Sequence, residues 1–298
     1  CTDKTGTLTE GVMRLIAFFI EQNDYRIDTQ DIQDKNLRDL IWNCIYKNIT
    51  VVESRDEKGN VVLSGDMTEK ALYKYLKENG YQTEGNRKGM YVLPFKSDYK
   101  YMMNIYKKED GNYILYAKGA PERVSEFITK FRCAGGKEDD FANHEEEWTK
   151  QQQVYADDSI RTLVFAYKEL TQKQIDEAKE ADPEIGLPFF QQVAKGLTFA
   201  FMIGIRDNNR KDVPDAIVAC KRAGITVRMV TGDNIHTALA ISRAVGIIEP
   251  DQANEARRVA ELYKKKVKLG ESSEANKDIG LRELVQIQNV TSLESPIA

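Results

Sequence analysis

The feature that most narrows the fold is the run Leu197 to Ile205, apolar except at Thr198 and Gly204. A run of this kind suits a strand covered on both faces, and it is less than half of the ~20 apolar residues that a membrane-spanning helix requires. Beyond it, helix and strand patterns alternate. Pro214, just after Asp212, opens an amphipathic stretch carrying Ile217, Val218 and Cys220 to Ala223, which Gly224 closes, the usual placing of proline and glycine around a helix. Ile225 to Val230 then predicts a second buried strand, and Thr231 and Asp233 offer capping side chains to a helix through Ile235, Ala238, Leu239, Ile241 and Ala244 that ends at Gly246. Strand, helix, strand, helix implies right-handed crossovers and a parallel sheet, with a ligand at the carboxyl ends of the strands, where Thr231 to Asn234 falls.

The middle of the chain has a different grammar. Short β-like segments recur at Tyr91 to Pro94, Tyr101 to Tyr106 and Tyr113 to Ala117, with Asp110-Gly111-Asn112 as a hairpin signal. Helical patterns at Glu69 to Glu78 and Ala120 to Phe131 make this an α+β insert rather than a second parallel sheet. Gly135 to Glu147 reads as a surface loop leading into a helix, and Ala178 to Pro188 as an exposed connection. After Pro250 a basic helix, Glu255 to Lys268, is expected before a polar tail.

A chain of 298 residues exceeds what one core comfortably organises, so two domains are expected. Hydrophobic residues at 41% with charged residues at 30% describe a globular chain, and a net charge of -4 supplies no basic face for nucleic acid. Cys1, Cys44, Cys133 and Cys220 lie too far apart for a metal pair or a disulfide framework, which suits a reducing compartment. His144 and His236 are the only histidines, disfavouring histidine catalysis; His144 is expected to be exposed and His236 helical. The chain opens inside a motif and without an initiator Met, as expected of a segment cut from something longer.

That motif is Cys1-Thr2-Asp3-Lys4-Thr5-Gly6-Thr7-Leu8-Thr9. It resembles the phosphorylation signature of P-type ATPases, matching over seven consecutive residues from Asp3 to Thr9. A carboxylate is a weak nucleophile and needs Mg²⁺ and amide donors to offset charge as a phosphoryl group arrives. The resemblance makes Asp3 the phosphorylated nucleophile with Lys4 and Thr5 beside it, and gives Mg²⁺ the Asp3 carboxylate and the Thr5 backbone carbonyl. In soluble phosphatases of the haloacid-dehalogenase-like superfamily a second acid stands two positions after the nucleophile; here that position is Thr5. Without that general acid-base, whose step is often worth about 10² to 10⁴-fold, an aspartyl-phosphate would persist, as a pump requires.

Further segments carry the same resemblance. Thr231-Gly232-Asp233-Asn234 is similar to the family's second phosphate motif, in which Thr231, Gly232 and Asp233 belong to the catalytic set. Gly65-Asp66-Met67-Thr68-Glu69-Lys70-Ala71-Leu72 resembles the nucleotide-domain segment whose glutamate, Glu69, accepts from the adenine amino group. Phe95 matches the aromatic that stacks on adenine, and Lys100 and Met102 fall where the family surrounds the base. Lys118-Gly119-Ala120-Pro121-Glu122 matches a pocket segment, with Lys118 lining it and Gly119 admitting close backbone approach. Arg161 corresponds to an arginine that meets the phosphates, and Asp207 and Arg210, in Asp207-Asn208-Asn209-Arg210, complete the implied nucleotide set.

The resemblance implies an incomplete haloacid-dehalogenase-like phosphorylation domain with a parallel α/β sheet, from residues 1–11 and 208–298, and an inserted α+β nucleotide-binding domain over 12–207. It implies ATP as substrate, Mg²⁺ as cofactor, and actuator and transmembrane domains of the same polypeptide as partners. Calmodulin regulation of the intact pump is the further partner it suggests. Ser97, and Thr231 to Ser242 as a block, resemble the plasma-membrane calcium pump branch more than the reticulum branch. Three departures stand out: Asn208 and Asn209 replace a hinge proline, and a further lysine and a Thr-Gly-Asp-Gly segment with its Asn-Asp do not appear before Ala298. The expectation is a segment that binds ATP but phosphorylates Asp3 poorly or not at all. The rivals are a soluble phosphatase with a large cap and a non-catalytic nucleotide-binding module.

Overall fold

The computed structural model describes residues 1–27, 32–83, 89–158, 160–231 and 235–248. In chain order its elements begin with β1 (Thr2–Asp3), β2 (Thr9–Ile20), β3 (Asn23–Arg26), α1 (Lys35–Tyr46), β4 (Val52–Arg55), β5 (Val61–Ser64), α2 (Met67–Glu78), β6 (Tyr91–Leu93), β7 (Tyr101–Lys107) and β8 (Tyr113–Gly119). They continue with α3 (Pro121–Val124), β9 (Ile128–Arg132), β10 (Glu138–Asp140), α4 (Glu145–Asp157), β11 (Arg161–Leu170), α5 (Gln172–Ala181), α6 (Leu187–Val193), β12 (Leu197–Asn209), α7 (Val213–Arg222), β13 (Met229–Val230) and α8 (Ile235–Ala244). The described residues form two compact units, one within Val12–Ala156 with Ile160–Asn208, the other of Cys1–Gly11, Asp157, Asp158 and the described residues from Asn209 onward.

The larger unit is built on one sheet ordered β10, β9, β12, β11, β8, β7, β6, in which β2 also pairs with β12 and carries β3. Strand alternation sends side chains to two cores. Along β8, Tyr113, Leu115 and Ala117 enter a cluster with Phe131, Phe189, Phe190 and Phe199. Tyr116 enters the opposite cluster with Leu37 and Ile41 of α1 and Leu72 and Leu76 of α2. The period of two therefore places Lys118 on the face that α1 and α2 cover.

Several expectations change here. Leu197 to Ile205 is buried, with a small opening at Thr198, but it is no strand of an all-parallel sheet: β12 runs antiparallel to β11 and parallel to β9. The helix expected over Ala120 to Phe131 stops at Val124 and a short 3₁₀ turn, because Ile128 to Arg132, rich in β-branched and aromatic side chains, pairs between β10 and β12. Gly135 to Glu147 is not simply a loop, since Glu138–Asp140 forms the edge strand β10. Within the expected connection Ala178 to Pro188, Ala178 is buried on α5 and Pro188 sits in the first turn of α6. His144 is buried rather than exposed, stacked on Phe131 at 4.3 Å between rings and bonded through Nδ1 to Gln22 and through Nε2 to Asp139.

In the smaller unit β1 and β13 pair in parallel, with Asp3 opposite Val230. Leu8, Val213, Ile217, Ile241, Val245 and Ile247 form its core. The strand expected over Ile225 to Val230 contracts to Met229–Val230, and Ile225 and Val230 are both exposed. His236 falls within α8. The helix expected over 255–268 lies outside the described residues. Among the described residues no helix is long and apolar enough to cross a membrane.

Candidate functional site

In the larger unit the polar chemistry gathers where α2 begins. Asp66 caps the helix, its carboxylate accepting from the backbone N–H of Thr68 and Glu69, which satisfies donors that the first turn leaves over. Ala71, Leu72, Tyr75 and Leu76 then bury one stripe of the helix, and that stripe turns Glu69 toward the sheet. Glu69 Oε1 accepts from Lys118 Nζ at 2.7 Å, while Oε2 accepts from the Thr50 N–H at 2.8 Å and the Thr50 hydroxyl at 2.7 Å. The side chains of Lys118 and Glu69 are only 6% and 10% exposed.

Burial alone would push the Glu69 carboxyl up, but the Lys118 charge and the hydrogen bonds from Lys118 and Thr50 outweigh it and hold the group below the usual carboxylate range. Burial also draws the Lys118 ammonium below its ordinary value, against the opposing pull of Glu69. Glu69 is thus an acceptor-only group in a protected position, suited to meeting an N–H donor.

Met102 stands opposite Lys118 on β7 and is buried on the same face. Gly119 ends β8 where β7 comes closest: a Cβ there would lie 2.5 Å from Tyr101 Cβ and 2.6 Å from the Lys100 carbonyl. Lys100 adopts φ +57°, its carbonyl accepting from Ala120 N–H at 3.0 Å and its ammonium reaching Glu122 at 3.7 Å. Phe95 lies in the connection from β6 to β7 and is 54% exposed. That is costly for an apolar ring in water and apt for a flat ligand face. Arg161 stands apart, exposed at the start of β11 opposite Ile205. Asp207 is buried on β12, where Oδ1 accepts from Val12 N–H at 3.2 Å, a structural tie beside the chain crossings.

The smaller unit places the other predicted residues. Asp3 ends β1 with its side chain exposed and Oδ1 accepting from Lys4 N–H at 2.8 Å. Thr231 comes directly after Val230, the register partner of Asp3, so the two residues stand at the carboxyl ends of neighbouring parallel strands. The loop between β1 and β2 is held by the Thr9 hydroxyl, which bonds the Lys4 carbonyl, and by Arg210, which donates from its guanidinium to the Gly6 carbonyl at 2.9 Å and from its N–H to the Leu8 carbonyl. Thr5 is extended and Gly6 takes φ +78°, a conformation costly for other residues. Lys4 is buried and Thr5 exposed. Gly232 and Asp233 lie outside the described residues.

Sequence reasoning missed Thr50. It stands in the turn between α1 and β4, nineteen residues before Glu69, and a lone threonine in a turn carries no signal that could have named it.

Comparison with known proteins places these residues in context. Residues 36–212 match the family model described as P-type ATPase, cytoplasmic domain N. The plasma membrane calcium-transporting ATPase 1 of Homo sapiens is 33% identical over 85% of this chain and 21% of the relative, and that of Gallus gallus is likewise 33% identical over the same shares. The plasma membrane calcium-transporting ATPase 4 of Bos taurus is 32% identical over 84% of this chain and 21% of its own length. The chain thus spans about a fifth of the length of these relatives.

Proposed function

Because the chain belongs to the family of P-type ATPase cytoplasmic N domains, we propose that its larger unit binds ATP and that its smaller unit carries Asp3 as the acceptor of the γ-phosphoryl group. The intact protein would be a P-type pump with calcium as its ion, facing the cytoplasm with these units. The observation that carries this reading is the buried Lys118–Glu69 pair gripped by Thr50, which holds an ionised acceptor ready on the same face as Met102. The adenine would stack on Phe95 and donate its amino group to Glu69, with Lys118, Gly119 and Lys100 lining the base. Arg161 would meet the phosphates.

On this reading residues 12–207 are the nucleotide-binding domain, and 1–11 with 208–298 are a haloacid-dehalogenase-like phosphorylation domain. There an Asp3 oxygen bonds to the γ-phosphorus as the bond from phosphorus to the β,γ-bridging oxygen breaks, and ADP leaves. Arg210 keeps the loop after Asp3 in place, and Thr231 stands where a phosphate oxygen would need a hydroxyl, with Gly232 and Asp233 continuing that motif. Mg²⁺ fits the donor chemistry at this end: the exposed Asp3 carboxylate and the Thr5 carbonyl are hard oxygen donors. Few protein ligands plus water and phosphate oxygens is how that ion is ordinarily held. When bound it would neutralise charge on the phosphates. Actuator and transmembrane domains of the same polypeptide would be its partners, and calmodulin a regulator of the whole.

Calorimetric titration of the 298-residue chain with ATP tests the reading. Saturable binding near one nucleotide per chain, competed by ADP, is expected; the absence of any binding at millimolar ATP would end it.

A further inference from the structure

A carboxylate offers about four acceptor positions, two on each oxygen. In Glu69 the Thr50 N–H and hydroxyl fill both positions on Oε2, at 2.8 and 2.7 Å, and Lys118 fills one on Oε1, at 2.7 Å. A single position on Oε1 remains for an incoming donor. Thr50 itself is exposed, whereas the carboxylate it grips is buried. Its hydroxyl therefore serves the orientation of Glu69 rather than the packing of a core.

We propose that Thr50 is a positioning residue for base selection, locking the Glu69 carboxylate so that its one remaining acceptor faces the exocyclic amino group of an adenine. The proposal rests on the reading of the larger unit as a nucleotide site. Adenine places N–H donors at the six position, whereas hypoxanthine places a carbonyl there, which would set acceptor against ionised acceptor. A site built around one buried hydrogen bond rejects the analogue lacking the donor, because its own polar group is then left unpaired. Without the Thr50 hydroxyl a second acceptor position opens on Oε2, and only the Thr50 N–H and Lys118 still hold the carboxylate, which blurs the geometry that separates the two bases.

The test is displacement of a fluorescent ATP analogue from the full chain by ATP and by inosine triphosphate, in the wild type, Thr50→Val, Thr50→Ala and Thr50→Ser. The wild type is expected to prefer ATP by about tenfold, an ordinary yield for one such bond. Thr50→Val and Thr50→Ala should reduce the preference below about threefold by weakening ATP alone, leaving inosine triphosphate within about twofold of its wild-type affinity. Thr50→Ser should restore the preference. Two substitutions that remove the hydroxyl keep the test decisive if one of them fails to fold. A preference unchanged in either folded variant, a failure of Thr50→Ser to restore it, or equal loss of both nucleotides would overturn the proposal. A wild type that binds ATP without distinguishing the bases defeats this inference alone, whereas one that binds neither nucleotide defeats the functional reading with it.

Discussion

Lys118→Met separates a working buried ion pair from an incidental one. The substitution nearly preserves side-chain length and apolar volume but strands the Glu69 carboxylate, whose side chain is 10% exposed, with Thr50 as its remaining partner. Breaking a buried pair from one side costs about 3–5 kcal/mol, because the surviving charge is left without compensation. The two retained Thr50 bonds argue for the low end, so about 3 kcal/mol is expected. In a unit of roughly 200 residues each kcal/mol moves the melting temperature by about 2–4 °C, which places the shift near 6–12 °C. Replacing both partners, as in Lys118→Met with Glu69→Gln, removes the stranded charge and should recover most of the loss, to within about 1 kcal/mol of the wild type. Urea unfolding at neutral pH, tracked by circular dichroism on the four proteins, measures the cycle. A single substitution costing less than about 0.5 kcal/mol, or a double variant no better than the worse single one, would refute the claim that the pair is buried and mutually compensated.

Three further outcomes rest on the same geometry. Gly119→Ala must force β7 from β8, since its methyl would meet Tyr101 Cβ at 2.5 Å and Tyr101 Cα at 2.7 Å; a loss of about 1–3 kcal/mol by urea unfolding is expected, together with weaker ATP binding. Phe95→Ala removes a ring that is 54% exposed, so the unfolding midpoint should hold while ATP affinity by calorimetry falls by about 1–3 kcal/mol, the usual worth of base stacking on an aromatic. Glu69 has a folded pKa below its unfolded value. Its contribution is therefore complete above the ordinary carboxylate range and lost as pH falls through the folded pKa, and Glu69→Gln should lack this part of the acid dependence in unfolding midpoints measured from neutral to acid pH.

What the sequence disclosed depended on whether a signal was local. The helical stretch Glu69 to Glu78 was legible because its pattern and the resemblance of Gly65 to Leu72 are local, although α2 begins two residues earlier, at Met67, under the Asp66 cap. The pairing of Glu69 with Lys118 was not, since 49 residues separate them and only the sheet brings β8 beneath α2. Leu197 to Ile205 announced its own burial, yet its neighbours are β9 and β11 from the middle of the chain and β2 from its start, so chain-order alternation misjudged the sheet that holds it. Ile128 to Arg132 was absorbed into a helix that Pro121 begins, because its β-branched and aromatic side chains are too few to outweigh the helical pattern before them and its strand partners lie outside that window. His144, set among polar residues, looked exposed; the ring of Phe131 and the amide of Gln22 bury it from segments too distant for periodicity to register.

Hydrogen exchange of the full chain, compared with and without saturating ATP, asks directly whether a nucleotide occupies the face formed by α2, β8 and the β6–β7 connection. Slowed exchange at the backbone amides of Thr50, at the start of α2 around Glu69, across Lys118 and Gly119, and beside Phe95 is the predicted result. Protection confined to other elements while ATP is bound, or none at all, would contradict the account.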